Sequence, residues 1–186
     1  MIISLKNPKT DSYIKLKELI LSNRIPWYYH TTAVNPDDTG DYNVSEYSKE
    51  HINAPFFGHC FLKRPDSDDN RYPIPESKYL SYVDTVVREI CDFNNVKINC
   101  FLRLNANLLF PLLPLFKEKK FTVPHVDHDF PHKNILLYLT NAGGETIVGK
   151  EIYDPKEDDV IIFDGAMHYV KIQKEKPRYV IVGTYI

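Results

Sequence analysis

Residues 121–149 read FTVPHVDHDFPHKNILLYLTNAGGETIVG, and their pattern predicts short β-strands separated by tight turns. We predict strands over 121–127, 134–140 and 145–149, because each is short and is bounded by turn-forming residues. The Asn-Ala-Gly-Gly turn over 141–144 supplies glycines, which tolerate positive φ. The stretch therefore indicates an all-β sandwich or barrel.

The remainder of the C-terminal half continues this pattern on both sides. Further short strands are predicted over 98–109, 159–164, 167–172 and 178–186. In the N-terminal half, apolar residues at helical spacing predict helices over 12–22 and 76–93, and the second is expected to pack outside the sheets. Pro75 suits the start of that helix, and 54–63 is predicted to be a strand. The aromatic run 27–30 (WYYH) is predicted to lie in the core. Predicted loops are 35–53, 64–74 and 110–120, the last of which is also considered as a lid.

Length and composition fit a globular chain. Its 186 residues are 43% hydrophobic and include 13 Tyr and 10 Phe, which suits one sizeable core. We therefore expect one domain over 1–186, in which 1–95 support a strand-rich core over 96–186. With 23 Lys and Arg against 25 Asp and Glu, the chain is nearly neutral. Nucleic acid is not expected as a partner, because its binding relies on many cationic contacts.

The cysteines and the N-terminus bear on the compartment. Cys60, Cys91 and Cys100 form no CxxC pair and are odd in number, so neither a disulfide framework nor a zinc knuckle is expected. This favours a reducing compartment, and we expect a cytoplasmic protein. The first ten residues, MIISLKNPKT, lack the apolar core of a signal peptide, and no apolar run is long enough to span a bilayer. No membrane association is expected.

Two residues of the quoted stretch, His125 and Asp127, form an HxD motif within a predicted strand. Residues i and i+2 of a strand face the same side, so the imidazole and the carboxylate would lie side by side. His168 lies in a later predicted strand and adds a second imidazole. Two histidines and one carboxylate on one face of a metal leave the opposite positions open, as iron(II) oxygenases require.

Three polar residues near the motif are weaker candidates. His128 would point to the opposite face if the segment stays extended, and His132 lies in a predicted turn. Asp129 shares the face of the HxD pair and is predicted to lie at the rim of a pocket. His125 and Asp127 could also be an ordinary exposed His–Asp pair.

Arg178 follows His168 by ten residues, and the charged segment 173–177 between them is predicted to connect a hairpin. In such a hairpin His168 would pair with Val180. Arg178 would then pair with Val170 and lie on the same face as His168. A planar guanidinium there would bind the distal carboxylate of a five-carbon diacid that chelates iron at its other end.

Tyr138 lies in the strand predicted after the HxD motif, and its hydroxyl is a second candidate donor to that distal carboxylate. Strands favour tyrosine in any case, so a purely structural place in the core is the alternative.

The run from about residue 100 to 186 resembles the catalytic domain of 2-oxoglutarate/Fe(II)-dependent dioxygenases. It is most similar to the prolyl 4-hydroxylase-like branch, which includes members found in phages. The matching pieces are FLRLNANL (101–108), PHVD (124–127), LLYL (136–139), GGET (143–146), VIIFD (160–164), His168 and Arg178. The resemblance implies a mainly β fold, a double-stranded β-helix of the jelly-roll or cupin type with flanking α-helices.

The same resemblance implies the roles of the site residues. His125, Asp127 and His168 would bind Fe(II), and Arg178 and Tyr138 would hold the distal carboxylate of 2-oxoglutarate. The expected reaction consumes O₂ and 2-oxoglutarate, releases succinate and CO₂, and hydroxylates a substrate. That substrate, a peptidyl residue such as proline or a small molecule, is not identified by the sequence.

One role is carried over less directly. The first strand of the family's motif usually supplies a polar group, often Tyr, near the metal end of the co-substrate. Here that strand has Arg103, Asn105 and Asn107 on one face and no Tyr, and the role is assigned to Asn105. Relatives that halogenate lack the carboxylate ligand, so Asp127 favours hydroxylation.

Two other classes of function are open at this point. One is a cupin-like metalloenzyme that does not use 2-oxoglutarate, which would bind metal but no co-substrate. The other is a non-enzymatic jelly-roll binding module, for which chelation would change neither binding nor stability. Fold-level resemblance alone does not decide between such functions.

Overall fold

The computed structural model describes residues 1–22, 24–33, 49–65, 72–112 and 118–186. Most of the predicted loop 35–53, and parts of the predicted loops 64–74 and 110–120 with the proposed lid, lie outside these ranges. The helices are α1 (Asp11–Leu21) and α2 (Leu80–Phe93). The strands are β1 (Ile3–Leu5), β2 (Tyr28–His30), β3 (His51–Ile52), β4 (Phe56–Lys63), β5 (Ile74–Pro75), β6 (Phe101–Leu109), β7 (Phe121–Thr122), β8 (Lys133–Tyr138), β9 (Thr146–Val148), β10 (Glu151–Tyr153), β11 (Val160–Asp164), β12 (His168–Val170) and β13 (Arg178–Tyr185).

The strands form a large and a small antiparallel sheet and a two-stranded parallel sheet of β3 and β7, and the fold is a mainly β double-stranded β-helix. The large sheet has the order β1-β11-β8-β13-β6-β4-β2, with β5 paired to β4, and the small sheet has the order β10-β9-β12. Isolated bridges from Phe121 to Lys171 and from His125 to His168 join the HxD segment to the chain around β12. Pro124 has no N–H to donate to a ladder, which explains why the predicted strand 121–127 is reduced to β7 and one bridge.

Both helices pack on the outer face of the large sheet, as predicted for the second. Tyr13, Leu16 and Ile20 of α1 and the Val83, Val86 and Ile90 stripe of α2 share one buried cluster with outward residues of the sheet. Neither described helix is long and apolar enough to cross a membrane. The inner face of the sheet is consequently left to line a cavity.

Strand β6 separates these two environments by simple alternation. Leu104 and Ala106 face the helices and are fully buried, whereas Arg103, Asn105 and Asn107 face the other side and line the cavity between the sheets. This two-residue period is the pleat of a strand with different surroundings on its two faces. It carries polar side chains to the interior of the fold.

The predicted hairpin between His168 and Arg178 is wrong. His168 pairs with Val148 in the small sheet, whereas Arg178 pairs with Leu109 in the large sheet. The connection crosses from one sheet to the other, and the buried Gln173 side chain donates to the Leu109 carbonyl at 2.6 Å. A local pattern of two strands and a turn does not distinguish a hairpin from such a crossing.

Two predictions for the N-terminal half differ from the structure. Pro75 does not start a helix: it pairs with Leu62 as part of β5, and α2 begins at Leu80. The aromatic run 27–30 is core only at Trp27, which packs against the buried cluster, whereas Tyr28 and Tyr29 are 60% and 61% exposed. They lie on β2, which is the last strand of the large sheet and has one neighbour among the described residues.

Asp158, in the turn before β11, ties α1 to the sheet. Its carboxylate accepts hydrogen bonds from Tyr13 and Lys17 and lies 2.7 Å from the Lys9 ammonium. Burial would raise the pKa of Asp158, but hydrogen bonds from Lys17, Lys9 and Tyr13 outweigh it and lower the pKa to about 2. The ionised form therefore stabilises the fold above the ordinary pKa of 3.8, and this contribution is lost as the pH falls toward 2.

We expect Asp158→Asn to reduce the free energy of unfolding by about 1–3 kcal/mol at pH 7, because charge-assisted hydrogen bonds are lost. Asparagine tolerates the positive φ of 71° at this position, so backbone strain does not contribute. Urea unfolding at pH 7 and pH 3 measures the effect, which should shrink at the lower pH. The control is Asp154→Asn, which removes an exposed pair with Lys156; an equal loss in both variants would contradict the prediction.

Candidate metal centre

Three side chains predicted from the sequence converge at one point between the sheets. One ligand atom from each of His125, Asp127 and His168 lies within 4.8 Å of the other two. The Nε2 atom of His168 is 3.5 Å from Oδ2 of Asp127, and the imidazole centroids are 4.4 Å apart. Among the described residues this is the one group of three such side chains that could hold a metal ion.

Backbone hydrogen bonds bring the two histidines together and fix their orientation. The N–H of each residue donates to the carbonyl of the other, at 3.0 Å and 2.9 Å. The Nδ1 atom of His125 lies 3.2 Å from the Val123 carbonyl, and that of His168 lies 3.0 Å from the Ala166 carbonyl. A carbonyl only accepts, so Nδ1 carries the proton in both rings. This leaves both Nε2 lone pairs for a metal.

The charge states suit a divalent cation. Burial would raise the pKa of Asp127, but the neighbouring His168, Arg103 and His125 and the Asn134 amide outweigh it and hold that pKa well below its usual range. Burial and the proximity of His168 lower the pKa of His125 to about 4. At neutral pH the site therefore offers an ionised carboxylate beside a neutral imidazole of His125.

Both oxygens of the Asp127 carboxylate have protein partners that the sequence did not reveal. Arg103 Nη1 donates to Oδ1 at 3.1 Å, and the buried Asn134 amide donates to Oδ2. Arg64 Nη1 donates to the backbone carbonyl of Asp127 at 2.9 Å. An arginine or asparagine inside an apolar strand is the sequence signal for such partners, but it does not identify which residue they contact.

A cavity of about 580 Å³ contains this group. Its wall combines the inner faces of both sheets, and apolar wall residues include Leu136, Val180 and Val182. The three side chains share this wall with the buried Arg178 and the exposed His30. This volume is in the range of pockets that bind small molecules.

Arg178 forms part of this wall although it is only 3% exposed. Its Nη2 atom donates to Thr146 Oγ1 at 3.3 Å, its guanidinium lies 5.2 Å from the centre of the Tyr138 ring, and its Nε has no hydrogen-bond partner. Burial lowers its pKa, and no carboxylate within the described ranges pairs with it. A buried unpaired cation is costly, so the arrangement calls for an anionic ligand.

The Tyr138 hydroxyl is engaged with Thr146 at 2.8 Å, and burial raises its pKa. Thr146 and Arg178 line the cavity, whereas Tyr138 is not among the described residues of its wall. Thr146 was missed by sequence reasoning, although it lies in the GGET stretch. It is fully buried and joins the tyrosine to the guanidinium.

Asn105 and Asn107 both line the cavity. In the amide orientation that satisfies both of its polar atoms, Asn105 accepts from Arg103 Nε at 3.0 Å and from Nη2 at 2.9 Å. The side-chain oxygen of Asn107 is buried without a partner. Asn105, which the sequence analysis assigned to the metal end of 2-oxoglutarate, thus contacts Arg103.

The weaker candidates lie apart from this group. The His128 Nε2 and the Thr184 hydroxyl are 2.8 Å apart, and His132 Nδ1 is 2.8 Å from the Phe130 carbonyl. Burial and the nearby His132 lower the pKa of His128 to about 4. Asp129 is exposed and is not among the described residues that line the cavity.

No protein-family model and no curated protein matches the sequence. Solved structures do match the fold. A 2OG-Fe(II) oxygenase family oxidoreductase from Burkholderia pseudomallei is similar with a TM-score of 0.64 at 15% identity, covering 99% of this chain and 84% of that one.

Two prolyl hydroxylases are also similar in structure. The viral collagen prolyl hydroxylase of Paramecium bursaria Chlorella virus-1, in complex with 2OG, has a TM-score of 0.54 at 13% identity, covering 100% of this chain and 96% of that one. A Trichoplax adhaerens prolyl hydroxylase, in complex with a hypoxia inducible factor peptide, has a TM-score of 0.55 at 13% identity, covering 100% and 83%. The chain thus has the double-stranded β-helix fold of the 2OG-Fe(II) oxygenase structures, prolyl hydroxylases included, to which it is similar.

Proposed function

We propose that the protein is a 2-oxoglutarate- and Fe(II)-dependent dioxygenase that hydroxylates its substrate and releases succinate and CO₂. One observation carries the proposal: two histidines and a carboxylate share a cavity with a buried arginine that has no acidic partner among the described residues. A metal site and an anion site in the same cavity are what a chelating diacid needs.

In this proposal His125, Asp127 and His168 hold Fe(II). The bound ion, with 2-oxoglutarate and O₂, supplies the oxidative decarboxylation and the insertion of the hydroxyl oxygen. The chain supplies the geometry: the backbone pairing of the two histidines fixes their separation, and their Nδ1 hydrogen bonds direct Nε2 toward the metal. The ionised Asp127 supplies the negative charge.

Arg178 binds the distal carboxylate of 2-oxoglutarate. The carboxylate neutralises a guanidinium that burial has removed from water, so binding relieves a cost already present in the free protein. A planar guanidinium can hold both carboxylate oxygens and so orients the co-substrate. Leu136, Val180 and Val182 line the same cavity and exclude water from the reacting groups.

The substrate is proposed to be a peptidyl residue, with proline as the first candidate. The support is the collagen prolyl hydroxylase and the peptide-bound prolyl hydroxylase among the similar structures. A small-molecule substrate is the second candidate, because one fold serves many substrates.

Calorimetry tests the proposal and separates it from its alternatives. The Mn(II)-loaded protein is titrated with 2-oxoglutarate under nitrogen, and succinate release is then measured with Fe(II), O₂ and a panel of prolyl peptides and metabolites. Metal-dependent binding of 2-oxoglutarate supports the dioxygenase. Metal binding without co-substrate binding indicates a cupin-like metalloenzyme, and the absence of metal binding indicates a non-enzymatic jelly roll.

Tyr138 is proposed to act on the co-substrate through Thr146. We expect Tyr138→Phe to weaken 2-oxoglutarate binding only about threefold to tenfold, because one neutral hydrogen bond contributes about 1 kcal/mol. Calorimetry on the Mn(II)-loaded variant measures this. Thr146→Val is the companion variant and should cost more, because it removes the hydroxyl that contacts both Tyr138 and Arg178. A loss for Tyr138→Phe larger than for Thr146→Val would instead indicate direct contact of the tyrosine with 2-oxoglutarate.

A further inference from the structure

We infer that Arg103, held in place by Asn105, is a positioning residue that restricts Asp127 to binding the metal through one oxygen. The inference rests on the proposed function, because it concerns the carboxylate of the proposed iron site. Neither the HxD motif nor the similarity in fold assigns a role to Arg103.

Arg103 is held in place by hydrogen bonds to two neighbours. Its Nη1 donates to Asp127 Oδ1 at 3.1 Å, while Nε and Nη2 donate to the Asn105 amide oxygen at 3.0 Å and 2.9 Å. Both residues project from β6 into the cavity, two positions apart. The guanidinium is therefore fixed on one side by its own strand and on the other by the carboxylate. A planar group bonded along two edges has little freedom to turn away.

The two carboxylate oxygens of Asp127 have different surroundings. Oδ2 lies 3.5 Å from His168 Nε2 and accepts from the Asn134 amide. Oδ1 accepts from Arg103. Oδ2 is thus the oxygen on the side of His168 Nε2, and Oδ1 is occupied by a cation that also repels a metal ion.

The number of ligand positions on the metal limits how Asp127 can bind it. An octahedral ion bound by one atom from each of three residues keeps three positions for other ligands. A chelating 2-oxoglutarate takes two of them, and O₂ takes one. A carboxylate that used both oxygens would occupy a position that these reactants need. Restricting Asp127 to one oxygen is therefore a requirement of the chemistry.

The test counts metal-bound water, a readout independent of turnover. Mn(II)-loaded protein without 2-oxoglutarate is examined by electron paramagnetic resonance in ¹⁷O-enriched water, in which each bound water broadens the signal. We expect about three bound waters in the unsubstituted protein and about one fewer in Arg103→Met, in which the freed oxygen joins the metal. We also expect 2-oxoglutarate binding to weaken roughly tenfold in that variant.

Further variants separate positioning from charge. Arg103→Lys keeps the cation but cannot hold both Asn105 and the carboxylate, so it should resemble Arg103→Met. Asn105→Ala frees the guanidinium and should shift the water count in the same direction. The matched control is Arg64→Met, which removes an arginine that donates to the backbone carbonyl of Asp127 at 2.9 Å and not to its carboxylate. It should keep the full water count.

The outcomes are distinguishable. If the unsubstituted protein binds no Mn(II), the proposed function fails before this inference is reached. If it binds Mn(II) and 2-oxoglutarate but Arg103→Met keeps the full water count, the positioning role is wrong. A full water count in Arg103→Lys would also overturn it, because charge alone would then suffice. Far-ultraviolet circular dichroism and Mn(II) binding show that each variant is folded.

Discussion

Asp127→Asn is expected to abolish 2-oxoglutarate-dependent succinate release and to weaken Mn(II) binding by about 100-fold or more. Asp127 is the one anionic member of the group formed with His125 and His168. Without its charge, a dication would be held in a buried cavity by two neutral imidazoles and an amide, and the cost of removing the ion from water would not be offset. Asparagine has nearly the same shape as aspartate, so the loss of metal binding measures the contribution of the carboxylate charge and of its ligand oxygen.

The same substitution affects the protein partners of Asp127. Arg103 would lose its anionic partner, and the Asn134 amide would face another amide instead of a carboxylate. We expect the free energy of unfolding of the metal-free variant to be about 1–3 kcal/mol lower than that of the unsubstituted protein, because buried hydrogen-bond donors lose their charged acceptor. Urea unfolding with and without Mn(II) separates this effect from loss of the ligand.

Asp129→Asn is the matched control for this prediction. Asp129 is exposed, lies two residues along the chain and is not among the described residues that line the cavity. It should keep Mn(II) affinity and succinate release. If Asp127→Asn retained either property, the metal site would have to lie elsewhere.

His168 and Arg178 both line the cavity, although the predicted pairing between them is wrong. A hairpin was expected to bring the two residues onto one face, but they belong to different sheets. Arg178 still reaches the cavity because the period of a strand, rather than its pairing partner, decides which side chains point inward. Val180 and Val182 follow Arg178 on the same inner face. Side-chain alternation is local and readable, whereas the choice between two sheets depends on the whole fold.

The contacts around the metal-binding side chains could not be predicted from the sequence, because they too depend on the whole fold. Arg103, Asn134 and Thr146 come from three different strands, and no sequence spacing relates them to Asp127 or Arg178. Their signal is a polar residue in a strand that also carries buried apolar residues. That signal indicates a buried polar partner, but the partner is fixed only once the strand order is known. The two helices were predicted because their apolar stripes depend on local spacing alone.

Arg178→Met is expected to raise the dissociation constant for 2-oxoglutarate by about 100-fold while making the ligand-free protein more stable. Removing one member of a buried ion pair commonly costs 2–5 kcal/mol, or about 30-fold to several thousandfold in affinity. In the free protein the guanidinium is buried and has no acidic partner among the described residues. Replacing it by an apolar side chain of similar length removes that cost, by about 1–4 kcal/mol.

The two effects have opposite signs, and this makes the prediction specific. A residue kept only for the fold would lower stability when replaced, whereas a residue kept for an anionic ligand lowers binding and raises the stability of the free protein. Thermal unfolding of the Mn(II)-loaded protein with and without 2-oxoglutarate measures both effects together. The stabilisation by 2-oxoglutarate seen in the unsubstituted protein should be nearly absent in Arg178→Met, because it depends on affinity.

Arg178→Lys and Arg88→Met complete the experiment. Lysine keeps the charge but not the planar pair of donors, so an intermediate affinity is expected. Arg88 pairs with Asp84 on the exposed side of α2, and its replacement should leave 2-oxoglutarate binding unchanged. If Arg178→Met lowered the stability of the free protein and kept its affinity for 2-oxoglutarate, the guanidinium would be a structural residue. The carboxylate of 2-oxoglutarate would then have to bind at another cation that lines this cavity.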